Sequence, residues 1–190
     1  MELDPGPILE VLDRHGVDYV LIGGLAGLAH GSQYPTQDTD IAYDRSCANL
    51  ERLSAALIEL EATLRGAPAD LPFEPGVATL ANGANFTFDT LLGPLDVLAE
   101  PAGAPPYARL RAEAELRGLL GVCIPVASLD HLIAMKEAAG RPKDLLMASE
   151  YRAISDELRR PADAYEEASG EWSQGDDGRL WDPTAGDGID

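Results

Sequence analysis

The sequence predicts an α/β fold: a central mixed β-sheet flanked by helices, with a helical C-terminal segment. Three observations carry this. Residues 19–22, YVLI, form an apolar run too short for a helix and end on Gly23-Gly24. Residues 38–43, DTDIAY, alternate polar and apolar with the two-residue period of a strand. Around these runs lie longer segments with helical spacing and capping residues at their ends.

In chain order, a first helix is expected over 6–15, with Pro7 in the first turn and Gly16 as its stop. The strand at 19–22 and the Gly23-Gly24 turn lead into a short helix, LAGLAHG. The second strand puts Asp38 and Asp40 on one face, because strand side chains repeat every two residues. Ser46 is expected to cap an amphipathic helix reaching about residue 64, followed by the loop GAPADLPFEPG. VATLA, the Asn82-Gly83 turn, NFTFDTL, an LGP turn and LDVLAE are expected to form a β-meander, Asn-Gly being a strong hairpin signal. A helix over 106–116 and a strand at GVCIPV follow. Ser128 should cap LDHLIAMKEAA, Gly140 should stop it, and Pro142 should open a last helix to about residue 160.

With 190 residues, 45% of them hydrophobic, the chain can bury one real core, so one domain over 1–160 is expected. Residues 161–190 are polar and Gly-rich, the composition of a disordered tail, in which Trp172 and Trp181 could anchor docking. No apolar window approaches membrane-spanning length and the N-terminus is acidic, so a cytoplasmic protein without membrane contact is expected. Cys47 and Cys123 have no partner at ligand spacing, so neither a zinc site nor a disulfide framework is indicated and two buried thiols are expected. The net charge is −19; nine of the 33 acids and one of the 14 bases fall in the tail, leaving −11 for residues 1–160. That argues against a broadly basic nucleic-acid surface, though a local basic cleft stays open.

Asp38 and Asp40 offer two carboxylates from one strand face, the arrangement that Mg²⁺ uses when waters and substrate phosphates complete its shell. Asp96, between Leu95 and Val97 on a separate strand, can add a third. Gly23-Gly24 joins a buried strand to a helix, where backbone N–H groups can meet phosphate oxygens without a side chain in the way. Lys136 falls on the apolar stripe of Leu129, Leu132 and Ile133, and a core-facing lysine requires an anion. Ser32 and Thr36 stand near the aspartates as candidate phosphate contacts, with capping as the alternative. His15, His30 and His131 have no partners at ligand or triad spacing and are expected to be structural or on the surface.

A Gly-Gly pair followed after some ten residues by Asp-x-Asp and an apolar residue resembles the signature of the DNA polymerase β nucleotidyltransferase superfamily. GGLAGLAHG with TQDTDI, and SLDHLIAMKEAAGRPKDL later in the chain, are similar to motifs of AbiEii-type and MenT-type nucleotidyltransferases, many of them toxins of toxin-antitoxin systems. The resemblance spans about residues 19–150, and the chain departs from it in carrying Tyr34, Pro35 and Gln37 where a basic residue is common. It implies the polymerase β-like fold and transfer of a nucleotide from a magnesium NTP. It further implies roles at the nucleotide site for Lys136 and Asp144, with Arg141 and Lys143 beside the phosphates, an RNA or tRNA acceptor, and a cognate antitoxin partner. The acidic body favours instead a small cationic acceptor, as in aminoglycoside nucleotidyltransferases, or a protein acceptor. A catalytically silent module that binds nucleotide or antitoxin is the reading from a different class.

Overall fold

The computed structural model describes residues 5–36, 38–68 and 73–160. The elements are α1 (Gly6–Arg14), β1 (Tyr19–Ile22), α2 (Gly23–Ala29), β2 (Thr39–Tyr43), α3 (Cys47–Glu59), β3 (Thr63–Leu64) and α4 (Val77–Asn82), then β4 (Asn85–Thr90), β5 (Gly93–Leu98), α5 (Tyr107–Ala112), β6 (Glu115–Leu119), β7 (Val122–Val126), α6 (Leu129–Ala139) and α7 (Pro142–Leu158). One mixed sheet has the order β3-β4-β5-β2-β1-β7-β6. Pairing of β2 with β5 and of β1 with β7 is parallel, and all other pairs are antiparallel. Residues 1–155 form one compact unit and residues 156–190 a second, of which only the end of α7 and the turn to Arg160 are described. The expected tail and both tryptophans lie outside the described residues. No described helix is long and apolar enough to cross a membrane.

Several elements differ from expectation for identifiable reasons. α3 stops at Glu59, five residues early: Glu61 turns to φ 48°, and the Ala62 N–H reaches back 3.0 Å to the Leu57 carbonyl. The freed residues 63 and 64 become edge strand β3. Ser46 makes no side-chain cap; its N–H donates instead to Asp44 at 3.1 Å. VATLA is helical, not a strand. Ala and Leu are strong helix formers, Gly76 precedes the first turn, and Leu80 carries the one fully buried side chain of the segment. The meander therefore reduces to the β4–β5 hairpin. The helix expected over 106–116 ends at Ala112, because residues 115–119 pair with β7 across a Leu120-Gly121 turn with φ 51° and 87°. That pairing overrides the helical composition of AEAELRG.

The two cysteines are exposed, not buried: Cys47 opens α3 on its solvent side, and Cys123 sits on the outward face of β7. His30 is a core histidine bonded through Nε2 to the Ala127 carbonyl at 2.8 Å, while His15 and His131 face Glu59 and Glu113. Around α6 the sequence was fully legible. The Ser128 hydroxyl accepts from the His131 N–H, and Gly140 ends the helix at φ 65°.

Candidate active site

The site grows from the centre of the sheet. β2 runs parallel to β5 with Asp40 directly beside Asp96 and Ile41 beside Val97. Paired residues share a sheet face, so the two carboxylates project together while Ile41, Leu95 and Val97, all at 0% exposure, fill the opposite face. Asp38, just ahead of β2, enters the same cavity of about 290 Å³, which is also lined by Gly23, Gly24, Thr36, Lys136, Arg141, Lys143 and Asp144. A narrower slot of about 150 Å³ shares Asp40, Lys136 and Asp144 and adds apolar walls from Leu98, Leu132 and Met135. A roomier cavity of about 480 Å³, around Tyr43, Pro105 and Tyr107, includes Asp44 and Glu100 but none of Asp38, Asp40 and Asp96.

The glycines are required by close approach. Gly23 sits at φ +69°, and a Cβ there would overlap the Asp40 carboxylate. At Gly24 a Cβ would come within 2.7 Å of the Thr36 side chain. The Gly24 N–H donates to Asp40, so at least one of the amides expected to face phosphate serves a carboxylate of the site.

Burial pushes the Asp40 carboxyl up to about 7, and repulsion from Asp96 and Asp38 adds to this against the pull of Lys136 and the Gly24 N–H. Burial likewise holds Asp96 above its ordinary value, opposed by Arg65. Asp96 Oδ1 is buried and accepts no hydrogen bond. Arg65 Nη1 stands 3.2 Å from it as an ion pair. Two carboxylates paired on one sheet face, with a third at the cavity, are a donor set that suits a cation. Among the described residues no three His, Cys, Asp or Glu side chains converge on one point tightly enough to cage a metal. Paired carboxylates of this kind would suit Mg²⁺, which takes one or two carboxylates and keeps waters and phosphate oxygens.

Across the cavity, α6 and the start of α7 bring together Lys136, Arg141 and Asp144. Lys136 Nζ lies 3.1 Å from Asp144 Oδ1 and Arg141 Nε 2.5 Å from Oδ2. The anion that a core-facing lysine requires is therefore Asp144, itself 1% exposed. Burial alone would raise its pKa, but the hydrogen bonds from Arg141 and Lys136 outweigh this and hold it below the ordinary carboxylate value. A lowered folded pKa contributes stability that is present above the ordinary value and lost as pH falls through the folded one. Asp144→Ala should cost about 3 kcal/mol by leaving Lys136 unpaired, read as a drop in the urea midpoint at pH 7 that shrinks toward pH 3. An unchanged midpoint would show the pair to be energetically idle.

Thr36 and Lys143 line the cavity, whereas the Ser32 hydroxyl donates to Glu150 Oε2 at 2.8 Å, and Glu150 also receives the Gln33 N–H at 2.9 Å. Ser32 ties the loop before β2 to α7. The sequence does not reveal Arg65, which follows the helix expected to reach about residue 64; no local pattern marks it as adjacent to Asp96.

No protein-family model and no curated protein matches the chain. Among solved structures, the lincosamide antibiotic adenylyltransferase LnuA, in its lincomycin-bound form, matches with a TM-score of 0.54 and 15% identity over 78% of this chain and 94% of that one. The antibiotic-resistance factor ANT(2'')-Ia matches at 0.47 and 16% over 86% and 94%, and a nucleotidyltransferase candidate from Thermotoga maritima at 0.49 and 15% over 80% and 91%. The likeness to LnuA shows the fold: the chain shares with that adenylyltransferase a mixed sheet flanked by helices, as expected from the sequence.

Proposed function

We propose that the protein is a magnesium-dependent nucleotidyltransferase that moves a nucleoside monophosphate from an NTP to an acceptor. One observation carries this reading: Asp40 and Asp96 stand side by side on adjacent parallel strands, with Asp38, in a cavity whose other wall carries Lys136, Arg141 and Lys143. Anionic and cationic walls about one small cavity suit a triphosphate that arrives with a divalent cation. Asp38 and Asp40 would hold the cation that neutralises the phosphates, and Asp96 would complete the acceptor side. When bound, Mg²⁺ supplies charge neutralisation at the α-phosphate and the leaving pyrophosphate.

The chain's own residues do the rest. Gly23 and Gly24 leave room for the carboxylates and the phosphate tail, while Lys136, with Arg141 and Lys143, offsets its charge. The acceptor oxygen attacks the α-phosphorus, the bond from that phosphorus to the bridging oxygen breaks, pyrophosphate leaves, and Asp96 takes the acceptor proton. Asp144 acts by positioning Lys136. The motif resemblance supports an RNA or tRNA end as acceptor, in a toxin-like role countered by an antitoxin. A second reading, a small-molecule acceptor, draws on the net charge of −11 over residues 1–160 and on the likeness in fold to a lincosamide adenylyltransferase.

Calorimetry with each NTP tests the shared core of both. Binding should require Mg²⁺ and raise Tm, since a ligand at 100 times its Kd stabilises the native state by about 2.7 kcal/mol. Absence of binding at millimolar NTP would refute the reading.

A further inference from the structure

We propose that Arg65 is an acceptor-specificity residue, which selects an acceptor carrying a phosphate next to its nucleophilic group and disfavours a polycationic one. The proposal rests on the nucleotidyl-transfer reading and extends it to the acceptor. Its basis is a row of side chains across the sheet. Leu64 pairs with Phe88 and the Arg65 N–H donates to the Thr87 carbonyl at 2.9 Å, so Arg65 continues β3 opposite Thr87. Thr87 pairs with Asp96, and Asp96 with Asp40. Arg65, Thr87, Asp96 and Asp40 thus succeed one another on one sheet face.

Arg65 is fixed in this row by its own strand neighbours. Nε donates to Asp89 Oδ1 at 3.0 Å and Nη2 to the Phe88 carbonyl at 2.8 Å, which leaves Nη1 pointing along the row, 3.2 Å from Asp96 Oδ1. The side chain is one-third exposed and Asp89 61% exposed, so solvent screens that pairing and Arg65 is accessible to a ligand. Lys136, Arg141 and Lys143 occupy the opposite side of the carboxylates, where the triphosphate is expected. Arg65 stands on the other side of them, beyond β5, where the acceptor is expected. A partly exposed guanidinium whose Nη1 stands beside the acceptor-side carboxylate suits a phosphate oxygen, to which arginine presents N–H donors in a fixed fork. A polyammonium acceptor would meet like charge there.

The test uses the full chain with Mg²⁺ and a non-hydrolysable NTP analogue, titrated separately with a short RNA bearing a 3'-hydroxyl, a nucleoside 5'-monophosphate and kanamycin. Arg65→Ala should weaken RNA or monophosphate binding at least tenfold and lower the salt dependence of RNA binding by about one phosphate contact. Arg65→Lys should recover part of the loss, kanamycin should bind no more weakly to Arg65→Ala than to wild type, and affinity for the NTP analogue should change less than twofold. Loss confined to RNA identifies a polynucleotide end; loss shared with the monophosphate identifies any phosphate-bearing acceptor, and both outcomes support the proposal. It is overturned if the analogue binds but RNA and monophosphate bind equally to wild type, Arg65→Ala and Arg65→Lys, or if kanamycin alone binds. Failure of the wild type to bind the analogue would overturn the nucleotidyl-transfer reading beneath it.

Discussion

Asp40→Asn is expected to abolish nucleotidyl transfer and at the same time to make the protein more stable. Losing a carboxylate that helps to neutralise the transferring phosphate removes several kcal/mol from transition-state binding, so turnover should fall by about three orders of magnitude or more. Stability moves the other way because burial and two neighbouring carboxylates push Asp40 up to about 7. A folded pKa above the ordinary one means that the native state binds the proton more tightly than the unfolded chain. The group therefore imposes no penalty below about pH 4, a growing one as pH rises toward 7, and its full penalty above that. A displacement of this size corresponds to at most about 4 kcal/mol, and an amide that still accepts from the Gly24 N–H should recover about 2 kcal/mol of it at pH 8. Thermal melts of wild type and variant should separate at pH 8 and converge near pH 4. A variant that is destabilised at pH 8, or retains wild-type turnover, would remove Asp40 from the cation-binding set.

The second large effect is expected at Gly23. Alanine there must adopt φ +69° with its methyl group in the space of the Asp40 carboxylate. The left-handed conformation costs about 1–2 kcal/mol and the overlap about 1–3 kcal/mol more. A Tm loss of roughly 5–20 °C follows for a domain of this size. The two contributions separate in a double-mutant cycle, because Asp40→Ala removes the carboxylate and with it most of the clash. Gly23→Ala should then cost at least about 1 kcal/mol less in the Asp40→Ala background than in wild type. Strict additivity would show that backbone conformation alone demands glycine at this position.

These two residues also mark how far the sequence could be read. Strand-then-Gly-Gly and Asp-x-Asp were legible because each is a local signal: an apolar run closed by glycines, and a period of two. The Ser128 cap and Gly140 stop belong to the same class and were found where expected. What the glycines accommodate was not legible, since the contact of Gly23 with Asp40 joins residues brought together by β1–β2 pairing. The errors share one cause. VATLA and AEAELRG each had one local reading, and packing decided otherwise: Leu80 is buried from a helix, and residues 115–119 complete a sheet edge. Arg65 was invisible because its proximity to Asp96 depends on two strand registers in succession. Ser32 shows the converse, a polar residue close to the aspartates in sequence whose hydroxyl bonds Glu150 on α7.

The central claim is that the carboxylate row on β2 and β5 forms an NTP site. Its most direct measurement is equilibrium binding of a non-hydrolysable NTP analogue to wild type and to Asp38→Asn/Asp40→Asn, with and without Mg²⁺, each protein shown folded by its melt. The account predicts tight binding for wild type with Mg²⁺, at least tenfold weaker binding without it, and no Mg²⁺ dependence in the double variant. Equal affinity in all four cases, or none in any, would contradict it.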